Sequence, residues 1–313
     1  MLESLLEGFQ HGDRLALSRL LTYASQGKAL PEILSHLKSP PKSSQVIAFT
    51  GSAGVGKSSL IGKLIELLRR DNRRVAVLAC DPQSPLSGGA LLGDRFRMPT
   101  QVEDDVFIRS LAATPGHGAV AEHLPPMIRL LESFGFDTIF IETVGAGQSD
   151  TAVASLADVV AVILQPEAGD DLQWEKAGLL EVADIVVINK GDLPKADHVE
   201  SQVRTILGLS EGRHVPIVRT SAKSGEGIDG LWAAIQAMPR KNRGGGDGRE
   251  LLLYTQELLA EWFMKAQAKN RPDVLQLIKN WQEFTNQRDV IVRKLIQLVE
   301  KDISAAGGLD RSD

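Results

Sequence analysis

A single cysteine in 313 residues excludes a disulfide framework and any cysteine-rich metal site. Cys80 closes the apolar run Val75-Ala76-Val77-Leu78-Ala79, where a small core residue is its expected role. Basic excess is also missing. Thirty-five Lys and Arg against 40 Asp and Glu give a net charge of −5 and a pI near 5.8, which argues against general nucleic-acid binding. No apolar run approaches the length of a membrane span, and the N-terminus has no basic region followed by an apolar core. The six histidines are scattered and there are only five methionines, so neither a histidine-rich metal site nor a Met-rich targeting module is present. No internal repeat is visible. These absences leave a soluble protein of a reducing compartment, with a cytoplasmic location expected. An apolar content of 43% supports a substantial core, in one large domain with appendages or in two domains.

Against this background one segment stands out. Gly51-Ser52-Ala53-Gly54-Val55-Gly56-Lys57-Ser58 fits the phosphate-loop pattern of two glycines followed by Lys and Ser. It follows the short apolar run Val46-Ile47-Ala48-Phe49-Thr50, read as a buried strand. It precedes Ser59 to Arg70, where Leu60, Ile61, Leu64, Ile65, Leu67 and Leu68 recur at helical spacing. A strand, a glycine turn and a helix N-terminus aim backbone N–H groups at phosphate oxygens. Glycine lets the backbone approach the anion. Lys57 is expected at the β- and γ-phosphates and the Ser58 hydroxyl on Mg²⁺, with Ser59 completing the nucleotide-binding turn.

A second signature, Asn189-Lys190-Gly191-Asp192, ends the apolar run Ile185-Val186-Val187-Ile188. An aspartate here can accept hydrogen bonds from N1–H and the 2-amino group of guanine, donors that adenine lacks at that edge. Alone, Asn-Lys-x-Asp is often a plain turn. Its place after a strand, with Ser221-Ala222-Lys223 after a further apolar run, favours a guanine site closed by that last loop. In an open α/β sheet ligands bind at the carboxyl ends of strands, so both signatures should face one crevice holding GTP or GDP.

Strand and helix alternate from 46 to about 238, which predicts a mostly parallel sheet with helices on both faces. The expected strands are 46–50, 75–80, 106–109, 137–142, 158–164, 184–188 and 215–219. Residues 1–44 read as an N-terminal helical extension, with Leu15, Leu17, Leu20 and Leu21 as one stripe, ended by Pro40-Pro41. Residues 45–240 form the nucleotide-binding domain. Lys241 to Gly248 has a hinge composition, and 249–313 reads as a helical arm.

Between the two signatures, Asp81-Pro82 follows a strand and Glu142 ends another, with Gly145 close behind. Such an acidic residue either holds Mg²⁺, directly or through water, or merely caps a helix. Arg95, Arg97 and Arg109 are candidates for a stimulating arginine, none of them singled out by the sequence. Asp170 or Asp171 could equally cap a helix.

These segments carry a resemblance. Asp81-Pro82, Gly93-Asp94-Arg95, Glu142-Thr143-Val144-Gly145-Ala146-Gly147-Gln148-Ser149 and Asp170-Asp171-Leu172-Gln173 resemble the MeaB/ArgK family, G-protein chaperones of adenosylcobalamin-dependent acyl-CoA mutases such as methylmalonyl-CoA mutase. The likeness spans almost the whole chain, including Gly12-Asp13-Arg14. It implies a phosphate-loop GTPase fold, Lys57, Asp94 and Glu142 in hydrolysis, and Ser58, Asp81 and Glu142 around Mg²⁺. It also implies switch roles for Gln148, Asp170 and Lys176, and a C-terminal arm that makes a homodimer. The implied partner is a methylmalonyl-CoA mutase-like enzyme whose cofactor loading or protection is gated by slow, partner-stimulated GTP hydrolysis. No nucleic acid or membrane partner is expected. Two stretches depart from the family pattern: Thr114 to Ala119, where His117 reads as a turn residue rather than a base, and Trp174-Glu175. The rival readings are a nickel-insertion GTPase, a protein-targeting GTPase, and a transport-associated ATPase or kinase. The first lacks Cys/His ligands, the second a Met-rich or basic module, and the third conflicts with Asn189 and Asp192.

Overall fold

The computed structural model describes residues 2–38, 44–82, 105–113, 124–143, 156–166, 180–208 and 214–241, and near the C-terminus 259, 262–266, 269–283 and 288–306. The chain divides into two compact units, Met1–Arg243 and Gly244–Asp313.

The larger unit is built on seven strands, β1 (Gln45–Thr50), β2 (Val75–Pro82), β3 (Val106–Ala113), β4 (Thr138–Glu142), β5 (Val159–Leu164), β6 (Ile185–Ile188) and β7 (Ile217–Arg219). They form one sheet in the order β3-β2-β4-β1-β5-β6-β7, and every pairing is parallel. Among the described residues the expected mostly parallel sheet is thus wholly parallel, and all seven expected strands are present. Strands β1, β4, β5 and β6 are buried along their whole length, which is why they read as unbroken apolar runs rather than alternating ones.

Helix α4 (Lys57–Arg70) lays Leu60, Ile61, Leu64, Ile65 and Leu68 on one face of the sheet, in a cluster with Ile47, Phe49, Val77, Phe140 and Ile163. The N-terminal residues form three helices, α1 (Leu2–Gln10), α2 (Arg14–Ser25) and α3 (Leu30–Ser35). Asp13 caps α2, its side chain accepting from Leu15 N. Leu17, Leu20, Leu21 and Ala24 of α2 are fully buried, while Leu15 is 59% exposed and lies off the stripe. Helix α5 (Leu124–Phe134) meets these helices, with Phe9 and Phe134 rings 5.3 Å apart. Arg14 donates to Val106 O (2.6 Å) and Arg109 to Thr22 Oγ1 (2.9 Å), fastening α2 to β3.

Three aspartates at the amino edge repeat one device. Asp137, Asp158 and Asp184 directly precede β4, β5 and β6. The backbone N–H of each donates to a neighbouring carbonyl: that of Arg74, directly before β2 (2.9 Å), of Val46 on β1 (2.8 Å) and of Val160 on β5 (2.9 Å). Each carboxylate then accepts the N–H of that same residue, at 2.9, 2.8 and 2.9 Å. The side chain thereby supplies the acceptor that a preceding residue of the strand would have offered, so the ladder is closed at its start. These strands accordingly begin one residue later than the sequence predicts.

Helices α6 (Ala196–Gly208) and α7 (Ile228–Ala237) complete the described helices of the larger unit. In the smaller unit, α8 (Pro272–Glu283) and α9 (Arg288–Ala306) flank a polar cluster. Arg271 lies over the Trp262 ring at 5.2 Å and pairs with Asp273 (2.5 Å) and with Asp302, which also accepts from Trp262 Nε1 (2.9 Å). Among the described residues no helix is long and apolar enough to cross a membrane.

Candidate functional site

All the parallel strands end on one edge, and both signatures lie there. The loop from Gly51 to Gly56 joins β1 to α4. Its glycines are forced by contact. Gly51 has φ +145°, and a Cβ there would lie 2.3 Å from the Ile163 carbonyl oxygen on β5; Gly56 has φ +94°, and a Cβ would lie 2.4 Å from Asn189 Nδ2. The loop can therefore press against β5 and β6 only without side chains. Ser52, Ala53 and Gly54 form the outer turn, and Val55 points into the core.

The first turn of α4 carries the reactive side chains. Lys57 is buried and curls over its own loop, Nζ donating to Gly51 O (2.8 Å) and Ser52 O (3.1 Å). Ser58 is buried, and its Oγ donates to Glu142 Oε1 at 2.6 Å. Ser59 faces solvent. Glu142, 5% exposed, ends β4 opposite Phe49 of β1 and Ala79 of β2. Asp81 lies two residues farther along β2, its backbone paired with Ala112, so its Cα sits on the same edge; its side chain is outside the described set. Asp94, Gly145, Gln148, Asp170 and Lys176, with Arg95, Arg97 and His117, also lie outside the described residues.

The second signature is tied to the first through Asn189, 1% exposed. Its Nδ2 donates to Val55 O (2.8 Å), while Oδ1 accepts from Ala222 N (3.2 Å) and Thr220 Oγ1 (3.3 Å). One amide thus joins the phosphate loop, the end of β6 and the loop after β7. Lys190 has φ +56°, and its Nζ reaches back to Gly54 O (3.1 Å) and to Gln165 Oε1. Gly191 N donates to Thr220 O (2.8 Å), and Asp192 is exposed. Ser221 pairs with Glu226 in an isolated antiparallel bridge, closing the Ala222-Lys223 turn. Lys223 itself is exposed.

Sequence reasoning missed several residues at this edge. Thr143 N donates to Phe49 O (3.0 Å), anchoring the chain as it leaves β4. Arg219 pairs with Asp197 (2.5 Å) and with Glu200, and Arg204 also donates to Glu200 (2.6 Å), binding α6 (Ala196–Gly208) to β7 just before the Thr220-Ser221 loop. Hydrogen bonding from Arg204, reinforced by Arg219, holds the Glu200 carboxyl below the usual range despite its partial desolvation. Arg109, four residues before the end of β3, donates to Thr22 of α2.

Residues 17–267 match the model of a family described as methylmalonyl Co-A mutase-associated GTPase MeaB. The chain belongs to the MeaB family. Its relatives include a protein of Pyrococcus abyssi that carries the name of a GTPase, 39% identical over 244 residues and 75% of each chain. The fused isobutyryl-CoA mutase of Cupriavidus metallidurans is 40% identical over 186 residues, 58% of this chain and 17% of that one. The mitochondrial methylmalonic aciduria type A homolog of Mus musculus is 37% identical over 209 residues, 64% of this chain and 50% of that one. A crystal structure of an LAO/AO transport system kinase superposes with a TM-score of 0.56 over 96% of this chain and 97% of that one, at 23% identity, which shows a shared fold. This MeaB-family protein is a phosphate-loop GTPase that binds GTP and GDP.

The oxygen donors of Ser58 and Glu142, 2.6 Å apart beside the loop, suit a hard divalent cation such as Mg²⁺. They offer no soft ligand.

Proposed function

We propose that this GTPase gates the loading or protection of the cofactor of an adenosylcobalamin-dependent acyl-CoA mutase through its GTP and GDP states. The observation that carries this reading is the Cupriavidus relative, in which a segment 40% identical to this chain lies within one polypeptide named as a fused mutase. Covalent fusion holds two modules at a high effective concentration, which is useful when one acts on the other. The family description points the same way.

The chemistry is assigned to residues as follows. Loop amides from Gly51 to Ser58 and the α4 N-terminus cradle the phosphates, and the Lys57 ammonium leaves the Gly51 and Ser52 carbonyls for the β- and γ-phosphate oxygens. Ser58, Asp81 and Glu142 would hold Mg²⁺, which would supply neutralisation of the phosphate charge. The Ser58 oxygen keeps lone pairs for a cation while its proton stays hydrogen-bonded to Glu142 Oε1, and the Glu142 carboxylate would hold the metal directly or through a water that it orients. Asp192 accepts from the guanine edge, and Asn189 fixes the three loops that surround the base. The Gly145 N–H senses the γ-phosphate, and Asp94, Gln148, Asp170 and Lys176 act as switch residues that respond to it. With no arginine assigned to the transition state, hydrolysis by the free protein is slow and the partner accelerates it. Residues 1–44 form an extension, 45–240 the GTPase domain and 249–313 an arm for a homodimer.

The test couples nucleotide choice to partner capture. Wild-type protein is expected to bind GTP in strong preference to ATP, and Asp192→Asn to lose at least tenfold in GTP affinity, because its amide N–H₂ faces guanine donors. Immobilised protein should retain a cobalamin-dependent mutase from cell extract in one nucleotide state and release it in the other. Equal ATP affinity, or a turnover of about ten per second by the free protein, refutes the scheme.

A further inference from the structure

Gln165 is the first residue after the buried strand β5, and no motif includes it. The register Leu164↔Ile188 between β5 and β6, extended by the bond from Asn189 N to Leu164 O (2.8 Å), brings Gln165 beside Asn189 and Lys190 at the carboxyl edge. Lys190 adopts the left-handed conformation, φ +56°, a backbone cost that a non-glycine residue bears only where its surroundings over-determine it. The ammonium of this half-buried residue bridges two acceptors, Gly54 O of the phosphate loop (3.1 Å) and Gln165 Oε1. The lysine thus spans the crevice from the end of β6 to the phosphate loop, and Gln165 holds it from the β5 side.

We infer that Gln165 is a positioning residue for guanine nucleotide, fixing the Lys190 side chain across the phosphate loop so that the base and phosphate subsites are set at one spacing. The inference rests on the guanine reading of Asn189 to Asp192. Physically, an ammonium with four-carbon reach has many rotamers, and confining it before the ligand arrives removes an ordering cost from binding. The neutral amide oxygen suits this task, since it accepts a hydrogen bond without cancelling the positive charge that Lys190 presents at the phosphate loop. Both subsites are occupied in GTP and in GDP, so the effect should fall on both alike.

The experiment is titration of the full chain with fluorescent GDP and a fluorescent non-hydrolysable GTP analogue, alongside thermal melting. Gln165→Ala should raise both dissociation constants about tenfold, a value typical of losing a hydrogen bond to a charged group, with the melting temperature of the nucleotide-free protein little changed. Gln165→Glu keeps an acceptor oxygen but cancels the Lys190 charge, so it should recover only part of the affinity and depend on ionic strength differently from the wild type. In a Lys190→Met background, Gln165→Ala should have no further effect. Wild-type affinity in Gln165→Ala, or full additivity with Lys190→Met, overturns the inference while leaving the guanine site intact. A wild-type protein that binds ATP as well as GTP overturns the guanine reading and this inference with it.

Discussion

Replacing Gly56 by alanine tests whether the two nucleotide signatures are mechanically one unit. Gly56 caps α4 at φ +94°, where a Cβ costs about 1–2 kcal/mol through the left-handed backbone alone. The added carbon would also lie 2.4 Å from Asn189 Nδ2, closer than real Cβ contacts permit. Asn189 cannot yield cheaply, because it is buried and bonded to Val55 O, Thr220 Oγ1 and Ala222 N. Pushing it aside breaks the Val55 bond at least, and a broken bond at a buried polar group costs about 1–3 kcal/mol. The total is about 2–5 kcal/mol, divided between stability and nucleotide affinity. At 1.4 kcal/mol per decade, the portion falling on affinity would raise the GDP dissociation constant by about ten- to a thousandfold.

The assay is a double-mutant cycle with Asn189→Ala, read by urea unfolding and by titration with fluorescent GDP. With Asn189 truncated the Cβ has room, so Gly56→Ala should cost only its backbone share, about 1–2 kcal/mol. A coupling of at least about 1 kcal/mol is expected between the two positions. If Gly56→Ala costs the same in both backgrounds, within about 0.5 kcal/mol, then backbone conformation accounts for that glycine, and its contact with Asn189 does not.

Two further outcomes are open to measurement. Asp158→Ala removes the carboxylate that accepts Val46 N and leaves that buried N–H unpaired. It should destabilise the protein by about 2–3 kcal/mol, and Asp158→Asn, which keeps an acceptor oxygen, by clearly less; equal urea midpoints for wild type and Asp158→Ala would refute the staple. In the C-terminal unit, Arg271 holds Asp273 and Asp302 below the usual carboxylate range, with Trp262 adding to the effect at Asp302. A depressed folded pKa means that this contribution is full above the unfolded value of about 3.9 and fades as pH falls through the folded values. The Trp262 indole N–H resonance should therefore stay fixed from pH 7 to about 4 and move only below that; movement between pH 5 and 7 would refute the pairing.

The sheet was legible because its physics is local. A strand buried on both faces must be apolar throughout, so β1, β5 and β6 announce themselves as Val46 to Phe49, Val159 to Leu164 and Ile185 to Ile188. Backbone turns that demand glycine were legible for the same reason, and Gly51 and Gly56 sit where the pattern puts them. Strand starts were not legible to the residue, since Asp137, Asp158 and Asp184 look like the first residues of their strands and instead bond side chain to backbone across the sheet edge. The N-terminal stripe misled at Leu15 because four leucines within seven residues exceed the face that α2 buries. Leu17, Leu20, Leu21 and Ala24 fill it, and Leu15 points away.

What no pattern carries is the pairing of residues far apart in the chain. Asn189 reaches Val55 across 134 positions and Lys190 reaches Gly54 across 136, yet each motif reads as self-contained. Neither the Asn nor the Lys needs its spacing from the phosphate loop to be constant, because the parallel sheet, not the sequence interval, sets the distance between strand ends. The same sheet delivers Gln165, a residue that no nucleotide motif includes, to Lys190, and it delivers Thr143 to Phe49. A motif therefore marks the groups that touch the ligand, while the groups that hold them come from whichever strand lies next in space. In this order of strands, β5 lies between β1 and β6, so its first residue past the ladder is the one placed to join the phosphate loop to the guanine motif.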